Sequence, residues 1–411
     1  MKILFVVLSP FNSNCSAMIR NKALIKGFLE NGHIVDVISS SSLKNSYSDS
    51  PDSTSHENLN VKEIEILQYY KNLLNKNISL LNLMKRKIIV PIVRYVYHKL
   101  SLYDSSIFLV NKIKKSLYIN KKYDVLISSS DPKSSHIAVN KMILNGLQYN
   151  KWIQYWGDPL ALDITGKSLY PKFYKKMQEN NILKNADKIV YVSPLTLQVQ
   201  KKEFKQLANK MDWLPIPYSK EKIYEHKGFD YNSIKLGYFG DYKDSVRNIK
   251  YLYTVCNEEE IYLTIAGNSN CEYRQTSTIS IYPRLISKKV EKLEKGVDVL
   301  VCILNIKGTQ IPGKIYHYAA TNRPILIILD GEYKEYLFNY LNSFNRFIFC
   351  DNNPNSIKQC IKEISLNKIK YEPLTRLSYK KVSKDFLLDT NNKGSVINSV
   401  LNQSFLPDEI Y

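Results

Sequence analysis

The sequence predicts an α/β protein built of two doubly wound domains in tandem. The first half opens on an unbroken apolar run at residues 3–8 and the second on a strand-like stretch at 234–239, each followed by a polar loop and a helical stretch; an unbroken run of that kind suits a parallel strand buried on both faces. The same succession of strand, loop and helix recurs through both halves. A segment carrying Pro215 and Pro217, residues 215–232, has little periodicity and separates the halves as a linker does. A chain of 411 residues with 44% hydrophobic content also exceeds what a single core ordinarily holds.

In the first half, residues 3–8 give a strand, a loop at 9–16 leads into a helix ending near Asn31, and Gly32 breaks it before a strand at 34–38. Residues 39–60 are rich in Ser, Asn and Asp without periodicity and read as a mobile loop. Residues 71–125 hold twelve Lys or Arg against Asp104 and Asp124, half of the chain's net charge of +20, interleaved with side chains such as Ile92, Val93, Tyr95 and Val96. That mixture fits an interfacial membrane helix, and it fits equally the solvated basic face of an internally packed one.

Strand signals return at 125–129, a helix is expected to about Leu147, and a strand at 152–155 runs into WGDPLALD. In open α/β sheets ligands gather outside the carboxyl ends of strands, which singles out Asp131, His136 and Asp158 as catalytic candidates. A carboxylate or imidazole there can orient a substrate or take its proton. Acids in such loops also cap helices, and His136 also fits a packing role. The last strand of this half ends at Ser193, and Trp213 and Leu214 lead into the linker.

The second half starts with a strand at 234–239, Gly240, a polar loop and a helix; Lys243 and Arg247 are placed to meet a phosphate there. A strand at 261–266 with Gly267, a helix around 283–293 and a strand at 297–304 follow. Pro312 and Gly313 then open a short helix, Asn322 and Pro324 close it, and residues 325–329 read as a buried strand. A glycine-bearing loop feeding a helix offers bare backbone N–H groups to an anion, and Lys314 adds a mobile charge. A last strand is expected at 346–349, a helix from about Asn355, and one or two more helices towards Tyr411.

Six cysteines stand singly, without the paired spacing of zinc sites or redox dithiols, and read as reduced thiols. The apolar start stops after Leu8 with no cleavage signal, and no window reaches the length of a membrane span. The chain is therefore expected in the cytoplasm, attached at most to one side of a membrane. Its positive charge suits a phosphate-bearing ligand, an anionic membrane or nucleic acid, but the sequence carries no recognisable nucleic-acid-binding module.

The segment TQIPGKIYHYAATNRPILII, residues 309–328, resembles the donor-binding motif of GT-B glycosyltransferases, Pro-Ser-Lys-x-x-Glu-Tyr-x-Ala-x-Gly-x-Pro, at Pro312, Lys314, Tyr318, Ala320 and Pro324. His317 stands where that motif has glutamate and Asn322 where it has glycine. The run from Trp156 to Pro159 is similar to the acceptor side of the same family, Arg20 sits where its members often carry an arginine, and residues 297–304 resemble the strand before its donor motif. The resemblance extends from the first strand to about Leu366, and the chain is identified with the large retaining "group 1" glycosyltransferases.

That resemblance implies two Rossmann-like domains facing each other across a cleft: an acceptor domain at 1–214, a linker at 215–232, a nucleotide-sugar domain at 233–370, and C-terminal helices at 371–411 packing back on the first domain. It implies a donor diphosphate held by Lys243, Arg247, Pro312, Gly313 and Lys314, a ribose contact at His317, and Asp158 positioning the acceptor or taking its proton, with His136 or Asp131 as substitute. No metal and no cofactor are expected. The partners implied are a nucleotide-sugar donor, a glycan or lipid-linked acceptor in surface polysaccharide synthesis, and the inner face of the cytoplasmic membrane. A neutral imidazole at 317 cannot make the bidentate ribose contact of a carboxylate, which keeps open a catalytically lapsed scaffold that binds a nucleotide-sugar or a partner protein. A sugar-nucleotide epimerase or hydrolase would share the fold.

Overall fold

The computed structural model describes residues 1–41, 56–65, 90–163, 166, 168–225, 230–366 and 370–388. The chain divides into two compact units, Met1–Leu214 and Pro215–Tyr411. Two parallel sheets flanked by helices make up the α/β architecture that the apolar runs predict.

Unit 1 contains, in order, β1 (Lys2–Pro10), α1 (Ser16–Glu30), β2 (Ile34–Ser40), β3 (Leu59–Ile64), α2 (Val90–Leu100), β4 (Lys122–Ser129), α3 (Ser134–Leu144), β5 (Gln148–Trp156), α4 (Lys172–Leu183), β6 (Lys188–Tyr191), α5 (Pro194–Glu203) and β7 (Met211–Trp213). Its seven strands are ordered β3-β2-β1-β4-β5-β6-β7, all parallel. Ile3 to Leu8 are at most 1% exposed because helices cover both faces of β1. Two helix starts are fixed by side chains. Ser193 accepts from Thr196 N at 3.3 Å with Pro194 leading α5, and Asp104 accepts from Ser134 N and Oγ at 3.0 and 2.8 Å, tying the start of α3 to the 3₁₀ turn Ser105–Lys112.

Unit 2 contains β8 (Lys235–Phe239), α6 (Lys250–Glu258), β9 (Tyr262–Ala266), β10 (Ile279–Tyr282), α7 (Ser287–Lys295), β11 (Val299–Ile303), α8 (Lys314–Tyr318), β12 (Ile325–Leu329), α9 (Lys334–Asn342), β13 (Ile348–Asp351), α10 (Pro354–Leu366) and α11 (Tyr379–Leu387). Its strands run β10-β9-β8-β11-β12-β13, again all parallel, the same order as the first six of unit 1. Leu236, Leu263, Val299, Val301, Leu326 and Ile328 form its core with Leu252 of α6 and Ile357 and Ile361 of α10. Arg346, 5% exposed, donates to the carbonyls of Thr321, Arg323 and Glu372 at 2.7, 2.8 and 3.1 Å, joining the turn after α8 to the C-terminal segment.

Several local expectations are revised. The segment expected as a loop at 39–60 ends one strand and begins another, since Ser39 and Ser40 belong to β2 and Leu59–Ile64 pairs with it as β3; residues 42–55 lie outside the described residues. α6 begins at Lys250, so Arg247 belongs to the loop before it rather than to a helix start. α8 is only five residues long. Residues 71–89 of the basic segment and 389–411 of the expected C-terminal helices lie outside the described residues. The described part of the latter binds within unit 2: Tyr218 N donates to Leu377 O at 3.1 Å, Tyr379 N to Tyr218 O at 3.0 Å and Leu374 N to Ala319 O at 2.8 Å.

Candidate functional site

Both sheets reverse their strand order, unit 1 between β1 and β4 and unit 2 between β8 and β11. The crevice outside the carboxyl ends of the strands at such a reversal is where doubly wound sheets take ligands.

In unit 1 the loops after β4 and β5 meet there. Arg20, 3% exposed on α1, donates through Nη2 to Ser130 O, and its guanidinium lies over the Tyr155 ring at 4.6 Å. Gly157 N donates to Ser130 Oγ at 3.0 Å. A Cβ at position 157 would lie 2.7 Å from Arg20 Nη1, so a larger residue there would displace the guanidinium. Lys133 bridges Asp131 Oδ1 at 2.9 Å and Asp163 Oδ2 at 2.8 Å. Burial opposes the charge of Lys133, but Asp131, Asp163 and Asp158 outweigh it and hold the ammonium protonated.

Asp158 is strongly perturbed in this cluster. Burial, then the like charges of Asp131 and Asp163, push it up to about 7, against the pull of Lys133 and Arg20. A carboxyl near neutrality can accept a proton at working pH, as a general base must. The loop carrying it is held from below by Glu179 of α4, fully buried, whose Oε2 accepts from Ala161 N at 2.9 Å. Burial also raises Glu179 to about 7, although the amides of Ala161 and Leu160 favour its charge.

His136 is placed otherwise. It is fully buried, stacked on Trp156 at 4.2 Å, with Nδ1 2.7 Å from Ser128 Oγ, which also accepts from Trp152 Nε1 at 2.9 Å. Burial first, then Lys133 and Arg20, lowers its pKa well below the usual imidazole value. The structure thus brings Asp131 and Asp158 into one charged cluster and buries His136 against Trp156, its Nε2 without a hydrogen-bond partner among the described residues.

In unit 2 the loops after β8 and β11 are bound to each other by polar groups. Arg247 Nε donates to Asn305 Oδ1 at 2.8 Å and Nη1 to Asp241 O at 3.1 Å; Asn305 Nδ2 donates to Gln310 O at 2.9 Å; Ile306 N donates to Val246 O at 2.9 Å. The loop after β12 closes on them through Gly331, whose φ of +84° favours glycine and where a Cβ would meet Asn305 O at 2.3 Å. Arg247 is half-buried in this network and Lys243 is exposed beside it.

Lys314 has other partners. Its Nζ lies 3.5 Å from Glu294 Oε1 and 5.7 Å from the centre of the Tyr318 ring. Glu294, 4% exposed near the end of α7, also accepts from Lys222 of the linker at 2.8 Å. Burial would raise this carboxyl, but Lys314 and Lys222 together hold it below the usual glutamate range. His317 lies in the same cluster. Burial, then Lys314, lowers it to about 4 despite Glu294, and its buried Nε2 has no hydrogen-bond partner among the described residues. Pro312 and Gly313 form the turn before α8, with Ile315 N donating to Pro312 O at 3.1 Å. Among the described residues no group of His, Cys, Asp or Glu is arranged to hold a metal ion.

Sequence reasoning passed over Lys133, Asp163 and Glu179 in unit 1 and Asn305, Glu294 and Lys222 in unit 2. Lys133 follows Asp131 and Pro132 in a strand-end loop and was open to notice. Glu294 was not, because SKKVEKLEK reads as a solvated charge run.

No protein-family model matches the sequence, and no curated protein does. Solved structures match along nearly the whole chain. Sucrose-phosphate synthase from Thermosynechococcus elongatus is 12% identical with a TM-score of 0.56, covering 94% of this chain and 95% of that one. An alpha-glucosyltransferase solved with UDP and a 13-mer DNA containing a HMU base is 13% identical with a TM-score of 0.52, covering 93% and 94%. The N-terminal domain of trehalose-6-phosphate phosphatase from Candida albicans is 12% identical with a TM-score of 0.51, covering 94% and 93%. The likeness is one of fold: two Rossmann-like units in the GT-B arrangement of domains along the chain.

Proposed function

We propose that this GT-B chain is a glycosyltransferase that moves a hexose from a nucleotide-sugar to a glycan or lipid-linked acceptor during surface polysaccharide assembly, with retention of anomeric configuration and no metal, at the cytoplasmic face of a membrane. The observation that carries the reading is the Arg247–Asn305–Gln310 network, which fixes a guanidinium at the strand-order reversal of unit 2. An arginine held in that way presents its remaining donors to a diphosphate without first having to be ordered. The alpha-glucosyltransferase of similar fold was solved with UDP, a ligand of this class.

The reaction breaks the bond between the anomeric carbon and the diphosphate oxygen and forms a bond from that carbon to an acceptor hydroxyl oxygen. Negative charge grows on the departing diphosphate, where Arg247, Lys243 and Lys314 are the cations to meet it. The acceptor proton passes to Asp158, whose raised pKa suits it to receive that proton near neutral pH. Asp131 and Lys133 hold the charge balance around it. Resemblance at Pro312, Lys314, Tyr318, Ala320 and Pro324 supports retention and the absence of a metal.

The lapsed-scaffold reading draws on His317, an imidazole with a buried, unpartnered Nε2 where a ribose-binding glutamate is expected. A thermal-shift screen against nucleotide-sugars, followed by turnover with the ligand that stabilises most, separates the two. A saturating donor should add about 2.7 kcal/mol at a hundred times its Kd, and Lys314→Ala should remove most transfer in a protein that still folds. Stabilisation without turnover would establish the scaffold, and unchanged turnover in Lys314→Ala would refute the donor site.

A further inference from the structure

Helix α2 turns an apolar stripe to solvent. Ile92, Val96 and Leu100 recur at i, i+4 and i+8 with Val93 beside them, a pattern that a surface helix ordinarily buries. Here these four side chains are 45–65% exposed. A second segment adjoins the end of the helix, since Leu169 N donates to Lys99 O at 2.9 Å. It adds Leu169, Tyr170, Phe173 and Met177, each 40–73% exposed. Single exposed apolar residues are ordinary on any surface, but two adjoining apolar segments mark a place of contact.

The charges around the patch point to its occupant. Residues 90–100 and 168–178 contain no Asp or Glu, while Arg94, Lys99 and Lys172 stand among the apolar side chains. Cations beside aliphatic and aromatic side chains are what an anionic bilayer interface takes: the apolar groups enter the acyl boundary and the cations remain at the head groups. A second copy of the chain would bring the same cations against one another.

We propose that α2 and residues 169–177 form a single lipid-facing surface by which unit 1 rests on an anionic membrane. This inference names the surface for the membrane-face location proposed above and rests on that reading. Position on the membrane would bring a lipid-linked acceptor to the unit that carries Asp158.

The test mixes the full chain with phosphatidylcholine vesicles, with and without phosphatidylglycerol, and pellets the vesicles at low and high salt. The protein should pellet with the anionic vesicles, less so at high salt, and Val96→Glu combined with Phe173→Glu should lower the partition about tenfold or more. Because all of these side chains are exposed, the circular-dichroism melt should not move. Arg94→Glu with Lys172→Glu, which leaves the apolar side chains in place, should remove the salt-dependent part of binding. Wild type that stays in the supernatant at low salt, or apolar variants that pellet as well as wild type, would overturn the proposal. So would velocity sedimentation showing a dimer that Val96→Glu abolishes. No sugar donor enters the measurement, so a failure of the transferase reading shows in the thermal-shift screen and leaves this result unmoved.

Discussion

Between β1 and β4 the first unit collects carboxylates, whereas between β8 and β11 the second collects amides and a guanidinium. Strand order is the same in both, so the backbone supplies equivalent ledges and the loops decide the chemistry. Asp131, Asp158 and Asp163 crowd one buried lysine and leave a group that titrates near neutrality. Around Arg247, by contrast, the network is built from Asn305 and backbone carbonyls that do not titrate. The pH dependence of turnover should therefore originate in the first unit and recognition of anions in the second.

The strongest way to break that division is Asp158→Asn. Loss of the proposed general base should lower turnover by about 10²–10⁴-fold while nucleotide-sugar binding, proposed for the other unit, stays unchanged. In the wild type, turnover should rise as pH passes through about 7 and the carboxylate form fills. The same group sets a sign for stability. Its pKa is higher folded than unfolded, so its cost to folding is absent at pH below the ordinary carboxylate value and complete above about 7. Asp158→Asn should thus be more stable than wild type at pH 8, by about 1 kcal/mol or more, and no more stable at pH 3.5. A variant that loses donor binding along with turnover would erase the distinction between the units.

A smaller effect is expected from Glu294→Gln. It removes the buried charge that Lys222 and Lys314 share and should cost about 3 kcal/mol of stability at pH 7. Glu294 has the opposite sign to Asp158, with a folded pKa below the unfolded one. Its contribution is complete above the ordinary glutamate value and disappears as pH falls through the lowered one. Denaturant unfolding of wild type and variant should converge in acid. A gap that persists at pH 2 would mean that shape, not charge, sets the contribution of Glu294.

The smallest expected effect concerns His317. Because its ring titrates at about 4, donor affinity should stay flat from pH 8 to about 5. His317→Ala should loosen a nucleotide-sugar by roughly 0.5–1.5 kcal/mol if Nε2 receives or donates one hydrogen bond to it, and His317→Glu should bind at least as tightly as the wild type. Calorimetric titration at two pH values tests both. Equal binding by alanine with none by glutamate would make the ring a packing group.

The sequence showed the sheets more plainly than the site. Central strands such as β1, β11 and β12 are buried on both faces, so their residues must be apolar without interruption and stand out as runs. The edge strands β3 and β10 lack that signature, because LNVKEI and ISIY are only partly buried and gain their form by pairing with β2 and β9. At the site, Asp131 and Asp158 were legible from their places at strand ends. The burial of His136 depends on Trp156, and the partners of Glu294 arrive from the linker and from α8, 72 and 20 residues away. Contacts of that range leave no local pattern, and the charge run around Glu294 points to solvent instead.

Arg346 lies over the Tyr371 ring at 4.9 Å, but its hydrogen bonds to Thr321, Arg323 and Glu372 all go to main-chain carbonyls, which would be present whatever residues stood there. Mutation can exchange those residues over time without loosening the knot behind α8, provided that the arginine endures. Geometry held in this manner can outlast the spelling of its neighbourhood. It gives one physical route by which a chain only 12% identical to a sucrose-phosphate synthase keeps the same fold over 94% of its length.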